Sequence, residues 1–271
     1  MLPRMTTLRI AVASTPLTAT LVEAVPAAIA AIEAAGKAGA RILCLPEAIL
    51  PGHRMQKRSV EEVSQAALDA ALETLAAAAR AAQVVTLVGM ERPTPDRYQL
   101  VQVVIDASGR RLGEQAKTQV DPSEETVYAP GAQRRVFTAG GATFGLAICH
   151  EVFRYPEISR TLARAGAQII FAPHFVGTRE GSLPTQWLDP KGPYNEKALL
   201  CRALENTVYV AAANTAGPNQ GSASCIIAPD GTLLGRVPYG EVGIVTADIE
   251  LERATALIAK RWAPERSTTL V

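Results

Sequence analysis

The chain has 271 residues, 48% of them apolar and 20% charged, with a net charge of +1. That composition supplies a sizeable core and excludes a disordered chain, and the absence of a basic block or basic–aromatic interleaving argues against nucleic acid as a partner. No run approaches the length of a membrane span, and residues 8–13 are too short for a signal peptide, so a cytoplasmic protein of one domain over residues 1–271 is expected.

Residues 8–13 read as a strand and 21–35 as an alanine-rich helix ended by Gly36. A short strand over 42–45 stops at Pro46. Residues 59–82 read as a helix with an apolar stripe of Val60, Val63, Ala67, Leu68, Leu72 and Leu75. After a strand over 84–89 the pattern changes to hairpins, 99–105 with 111–117 and then 135–138 with 143–148. Next come a helix over 155–165 started by Pro156, a strand over 168–172 and an irregular loop from His174 to Tyr194. A helix capped by Asn195 and reaching Asn206, a strand over 208–213 and a hairpin at Pro229-Asp-Gly231 follow. A strand over 243–248 and a helix over 251–261 close the pattern. Strand–helix alternation with interspersed hairpins points to an α/β fold with mixed sheets. Two stacked sheets, each covered by a pair of helices, satisfy the burial pattern, and so does a three-layer arrangement.

Reactive chemistry concentrates at Cys149. The run Gly145-Leu-Ala-Ile-Cys149 is a buried strand that delivers a thiol to a polar turn before a helix. Peptide N–H groups at a helix start favour thiolate and can hold an oxyanion. The plainer fate of such a cysteine is a small buried hydrophobe. Cys44, Cys149, Cys201 and Cys225 match no CxxC or zinc spacing, so free thiols and no metal are expected. Three other residues qualify for chemistry. Glu47 follows a buried strand, with Pro46 stiffening its approach. Lys117 ends a strand, and Glu124 lies in the loop from Asp121 to Gly131. Taken singly, each reads as a solvated surface group.

In order, these motifs are more specific. Leu45-Pro-Glu47, Lys117-Thr118 with Glu124 seven residues before Gly131, Gly145-Leu-Ala-Ile-Cys149 leading to Tyr155-Pro-Glu157, 196–206, Asn214 and Pro229-Asp-Gly231 together resemble the nitrilase superfamily of carbon–nitrogen hydrolases. The resemblance implies a four-layer α-β-β-α sandwich with two mixed sheets. It implies Cys149 as nucleophile, Glu47 as general base, Lys117 and the His150 backbone N–H as oxyanion donors, and Glu124 as a group that holds Lys117 and the substrate. No metal or organic cofactor is required. The partner is a small amide, carbamoyl compound or nitrile, and a homodimer or larger homo-oligomer pairing near the nucleophile is common in such proteins. The chain departs from many members at Ala116 and Gln119, where arginine and histidine are usual, and in following Cys149 with His-Glu, which leaves the substrate open.

The His150 side chain is expected to project from the strand's other face. In the loop after it, His174, Phe175 and Trp187 are candidate substrate-binding residues, Phe175 and Trp187 as apolar walls. A Trp187 that anchors the loop to the core is the alternative. Arg154 and Arg179 could receive a substrate carboxylate, although surface placement is the plainer fate. Three readings compete with an amidase: a nitrilase proper, a binding protein on this fold without turnover, and a thiol redox protein resolved by Cys44.

Overall fold

A computed structural model describes residues 7–54, 59–177, 183–192 and 194–266. Six strands form the first sheet: β1 (Thr7–Ser14), β2 (Ile42–Cys44), β3 (Val85–Pro93), β4 (Tyr98–Ile105), β5 (Arg111–Ala116) and β12 (Gly243–Glu250), in the order β12-β1-β2-β3-β4-β5. The second comprises β6 (Val136–Ala139), β7 (Ala142–Leu146), β8 (Ile169–Pro173), β9 (Tyr209–Ala213), β10 (Cys225–Ile227) and β11 (Leu233–Arg236), in the order β11-β10-β9-β8-β7-β6. Each sheet has a parallel centre, β1-β2-β3 and β7-β8-β9, and antiparallel flanks. The parallel pairs require crossover helices. These are α1 (Leu21–Lys37) and α2 (Gln65–Ala82) on the first sheet, and α3 (His150–Arg154), α4 (Pro156–Arg164) and α5 (Asn195–Leu204) on the second.

Alternation along the strands sorts side chains into three apolar layers. Ile10, Val12, Ile42, Cys44, Val85 and Leu87 meet Phe144, Leu146, Phe171, Tyr209 and Ile226 between the sheets. Ala11, Ala13, Leu43 and Leu45 face α1 and α2. Ile170, Ala172, Val210 and Ala212 face the opposite helices, among which Cys149 is packed. The four-layer arrangement is therefore the one adopted. Cys44 lies in the inter-sheet layer and Cys149 in the outer one, so Cys44 is not placed to resolve a Cys149 disulfide.

Several expected boundaries move. Helix α1 runs through Gly36, where a Cβ would sit 2.9 Å from the Ala82 Cβ: this glycine permits close helix packing and does not stop the helix. Ser64 caps α2 by accepting from the Ala67 N–H at 3.2 Å, so Val60 and Val63 precede the helix. Strand β7 ends at Leu146, and the unforeseen α3 begins immediately after Cys149. Asn195 is the first residue of α5 and not its cap. The expected helix over 251–261 divides into a 3-10 turn, Leu251–Arg253, and α6 (Leu257–Arg261), because Ala256 is left-handed with φ 52°.

Phe144 is fully buried, its ring edge-on to Phe171 with centroids 5.4 Å apart. Phe144→Ala should leave a cavity between the sheets and lower unfolding free energy by about 3–5 kcal/mol. Urea unfolding should show this as a lower midpoint at unchanged slope; a midpoint within error of the wild type would mean the layer closes over the gap.

Candidate active site

The ends of four strands meet at the seam of the two sheets. Beyond β2, the segment 46–48 crosses β3 so closely that a Cβ on Gly89 would lie 2.2 Å from the Pro46 carbonyl oxygen. With Ala48 at φ 50°, this turns the Glu47 side chain inward, where it is 2% exposed. Lys117 follows β5. Its N–H donates to the Leu100 carbonyl at 2.8 Å and its own carbonyl accepts from Gly131 N–H at 2.7 Å. The Lys117 ammonium donates to Glu47 Oε1 at 3.0 Å and to Glu124 Oε2 at 2.8 Å. Glu124 is held on a turn whose N–H donates to the Asp121 carbonyl at 2.8 Å.

Cys149 closes the group from the second sheet. Its N–H donates to the Pro173 carbonyl at 2.9 Å, and its backbone takes φ 50° and ψ −110° at the head of α3. A non-glycine residue in such a conformation stores about 1–3 kcal/mol of strain, held in place by its surroundings. Phe175, just past β8, links the sets: its N–H donates to Glu47 Oε2 at 3.0 Å, while its carbonyl lies 3.9 Å from Cys149 Sγ. A cavity of about 270 Å³ opens over Cys149, Glu124, His150, Phe153, Arg154 and Phe175.

Burial dominates the electrostatics. It pushes the Cys149 thiol well above its ordinary pKa, Glu47 adds to the rise, and Lys117 opposes it without prevailing. The resting sulfur is therefore protonated at neutral pH and requires a base. Burial alone would depress Lys117, but Glu47, Cys149 and Glu124 outweigh it and raise its pKa, which keeps the ammonium charged. Burial would likewise raise Glu124, yet His53 and Lys117 hold it down to about 2. Two of the three ammonium protons serve carboxylates, which leaves the third for a ligand. His150, as the first residue of α3, has an N–H without an intrahelical acceptor. The arrangement can deprotonate a thiol and hold an anion beside it.

The carbon–nitrogen hydrolase family model matches residues 9–259. The chain belongs to the carbon–nitrogen hydrolase family. It is similar to a nitrilase of Pyrococcus abyssi, 30% identical over 81% of this chain and 80% of that one. It is also similar to an (R)-stereoselective amidase of a Pseudomonas species, 28% identical over 65% of this chain and 59% of the relative, so that match spans less than two thirds of the amidase's length. Among solved structures, an amidase of the nitrilase superfamily from Nesterenkonia matches with a TM-score of 0.80 and 25% identity over 98% of this chain and 97% of that one. A mutant of the Nesterenkonia amidase shows the product of Michael addition of acrylamide at its active-site cysteine. Membership of this family makes the chain a carbon–nitrogen hydrolase, similar in fold to solved amidases.

The structure brings Glu47, Lys117, Glu124, Cys149 and Phe175 close to one another. Three expectations need correction. The His150 side chain does not turn away: it lines the cavity, with Nδ1 2.9 Å from Asp121 Oδ2. His174 lies behind the wall, edge-on to Phe153 and with Nδ1 2.8 Å from the Ala172 carbonyl, and burial drives its pKa down to about 4. Trp187 packs against the apolar layer under the second sheet, as a loop anchor, and not in the cavity. Arg154 is at the cavity and stacks over the Tyr194 ring at 3.8 Å, whereas Arg179 lies outside the described residues. At the two departures from the usual pattern, Ala116 packs beneath Gly131 and the Gln119 N–H donates to Glu151 at 3.2 Å. Among the described residues, no group of three or more His, Cys, Asp and Glu side chains could hold a metal ion.

Three contributors had no site role in the sequence reading, although Asn214 belongs to its motif order. Glu151, fully buried, accepts from the Thr118 N–H at 2.5 Å, the Ile148 N–H at 2.8 Å and Arg134 Nη2 at 2.5 Å, tying the end of β5 to the cysteine turn. Asn214 exchanges bonds with both peptide groups of Val176, at 3.1 and 3.0 Å, and so fixes the cavity-lining segment after β8. His53 sits against the acids, with Nε2 3.4 Å from Glu124 Oε1 and 4.0 Å from Glu47 Oε2. Its place in Pro51-Gly-His53, six residues past Glu47, was the available signal.

Because the Glu124 carboxyl falls from 4.5 to about 2 on folding, its stabilising contribution is present above pH 4.5 and lost as pH falls toward 2. The contribution is about 3 kcal/mol. Urea unfolding of Glu124→Gln should therefore show a stability deficit against the wild type at pH 6 that narrows below pH 4.5. A deficit independent of pH would show that Glu124 is not held as a buried anion.

Proposed function

We propose that this hydrolase cleaves a small linear amide or N-carbamoyl compound through a Cys149 thioester and releases ammonia. The observation that carries this reading is a buried ammonium bound by two carboxylates beside a protonated, strained thiol at a cavity of about 270 Å³. A cavity at the low end of the ligand-site range suits a substrate of few heavy atoms.

Glu47, held by Lys117 and the Phe175 N–H, takes the Cys149 proton as sulfur attacks the amide carbon. The carbonyl oxygen becomes an oxyanion, which the third Lys117 proton and the His150 N–H receive. A single preorganised donor of this kind contributes about 3–4 kcal/mol. Glu47 then returns its proton to the departing nitrogen, the C–N bond breaks, and ammonia leaves a thioester. Water attacks the thioester, giving a proton to Glu47, and the thiolate is expelled and reprotonated as the acid is released. Glu124 keeps Lys117 oriented throughout. The adduct on the cysteine of the Nesterenkonia amidase supports sulfur as the attacking atom.

Arg154 at the cavity favours, among such amides, those with a carboxylate at the far end. The Pyrococcus relative favours a second reading, attack on a nitrile by the same sulfur, which product analysis separates. A cytoplasmic setting and a homodimer that pairs through the helices beside Cys149 also belong to this reading. Exposed Tyr155 between α3 and α4, and exposed Leu257, Ile258 and Trp262 on and just after α6, support pairing, which sedimentation velocity tests.

A screen of short amides, carbamoyl amino acids and nitriles for ammonia release should find a substrate hydrolysed by the wild type and not by Cys149→Ser, with matching thermal melting. Turnover by Cys149→Ser at a comparable rate would remove the nucleophile assignment. Arg154→Ala should raise KM about tenfold or more for amides ending in a carboxylate and leave neutral amides within about twofold. Equal changes for both classes would reject the carboxylate contact.

A further inference from the structure

His53 takes no part in the route above, yet it is 2% exposed and completes a ring of contacts around the acids. Lys117 takes one oxygen of each carboxylate, Glu47 Oε1 and Glu124 Oε2; His53 Nε2 faces the other two, Glu124 Oε1 at 3.4 Å and Glu47 Oε2 at 4.0 Å. The imidazole plane lies flat on Phe175, centroids 4.6 Å apart and planes 8° from parallel, and the Tyr128 ring meets it at 60°. Phe175 is the residue whose N–H holds Glu47 and whose carbonyl faces Cys149 Sγ. One side chain thus touches the second acid by its nitrogen and supports, by its face, the peptide between base and thiol.

We propose that His53 is a positioning residue of this active site, its Nε2–H donating to Glu124 Oε1 and facing Glu47 Oε2 so that the two acids stay separated on Lys117, with its ring fixing Phe175. The geometry assigns the donor tautomer, since only an N–H can face two carboxylate oxygens favourably. The titratable groups around it are Glu47 beyond β2, Glu91 on β3, Lys117 after β5, and Glu124 and Tyr128 on the following loop. Glu91 is held by the Arg54 side chain and the Tyr128 hydroxyl, while His53 Nε2 faces the cavity acids. Hydrogen bonding from His53 is a leading cause of the low Glu124 pKa. Removing the donor should therefore move the protonation of Glu124 to higher pH.

The proposal rests on Cys149 being the nucleophile, and its test needs no substrate. Iodoacetamide alkylates the thiol: sulfur bonds to the methylene carbon, iodide leaves, and the proton passes to the neighbouring carboxylate. The rate at Cys149, resolved from Cys201 by peptide mass spectrometry, is followed from pH 4 to 9 in the wild type, His53→Phe and His53→Gln. His53→Phe keeps a ring without a donor. It should lower the neutral-pH rate about tenfold and shift the acid limb upward by about one pH unit, with melting little changed. His53→Gln keeps a donor and should restore the limb to within about half a unit of the wild type. An unmoved limb in His53→Phe, or equal shifts in both variants, overturns the proposal; if His53→Phe does not fold, His53→Leu takes its place as the donorless variant under the same criteria. Failure of the nucleophile reading looks different: wild-type Cys149 then reacts only in step with its own thiolate fraction, with no carboxylate-dependent limb and no advantage over Cys201.

Discussion

The buried ammonium of Lys117 is the constraint around which the site is organised. An isolated charge in such an interior is too costly to keep, so its position is acceptable only where carboxylates reach it on short bonds. Glu47 and Glu124 do so at 3.0 and 2.8 Å, and each arrives from a different connection beyond the first sheet. The lysine thereby fixes where both acids stand. Since the acids cannot move without leaving the ammonium unpaired, the electrostatics that keep Lys117 charged also preorganise the cavity.

The thiol belongs to the other sheet, so the distance between the two halves depends on how the sheets stack. Two ties set it. Phe175 binds Glu47 through its N–H and lies against Cys149 through its carbonyl. Glu151 reaches from α3 to the Thr118 N–H, with Arg134 balancing its charge. Lys117 and Thr118 are adjacent in the chain, and their groups point to opposite partners, the acid pair on one side and the cysteine turn on the other. Breaking a buried pair such as Glu151–Arg134 by removing one partner costs about 3–5 kcal/mol, enough to loosen the turn that holds Cys149 in its strained conformation.

Much of this was legible along the chain, because the relevant residues follow strand ends. Continuous apolar runs from Ile10 to Ala13 and Ile42 to Leu45 marked buried strands, and Glu47, Lys117 and Cys149 come within three residues of strand ends. What escaped depends on contacts that leave no local trace. Gly36 carries the usual signal of a helix stop, yet its missing Cβ serves the approach of Ala82, 46 positions later, which periodicity does not report. Ala256 breaks the terminal helix by a left-handed backbone that alanine does not advertise. His53 lies in a stretch to which the sequence assigns no element and Glu151 in the turn before the expected helix, and only folding brings one to Glu124 and the other to Thr118. His174 misled in the opposite sense: a histidine at a strand end beside the loop pointed to the cavity, but its ring turned into the apolar layer.

Charge counting explains why a thiol so hard to ionise suits the proposed route. Lys117 with two carboxylates leaves the enclosed cluster at one net negative charge, and a free thiolate would add a second in the same low-dielectric space. The high pKa of Cys149 expresses that penalty. If Glu47 accepts the proton during attack, no charge is added: the negative charge leaves Glu47 and reappears on the substrate oxygen, closer to Lys117 and the start of α3. Net charge is constant, and only its location changes, toward donors already in place. A low thiol pKa would forfeit this coupling, because the thiolate would exist before substrate arrived and compete with the oxyanion for the same ammonium. In this arrangement, keeping the sulfur protonated until attack reserves the Lys117 ammonium for the reacting carbonyl.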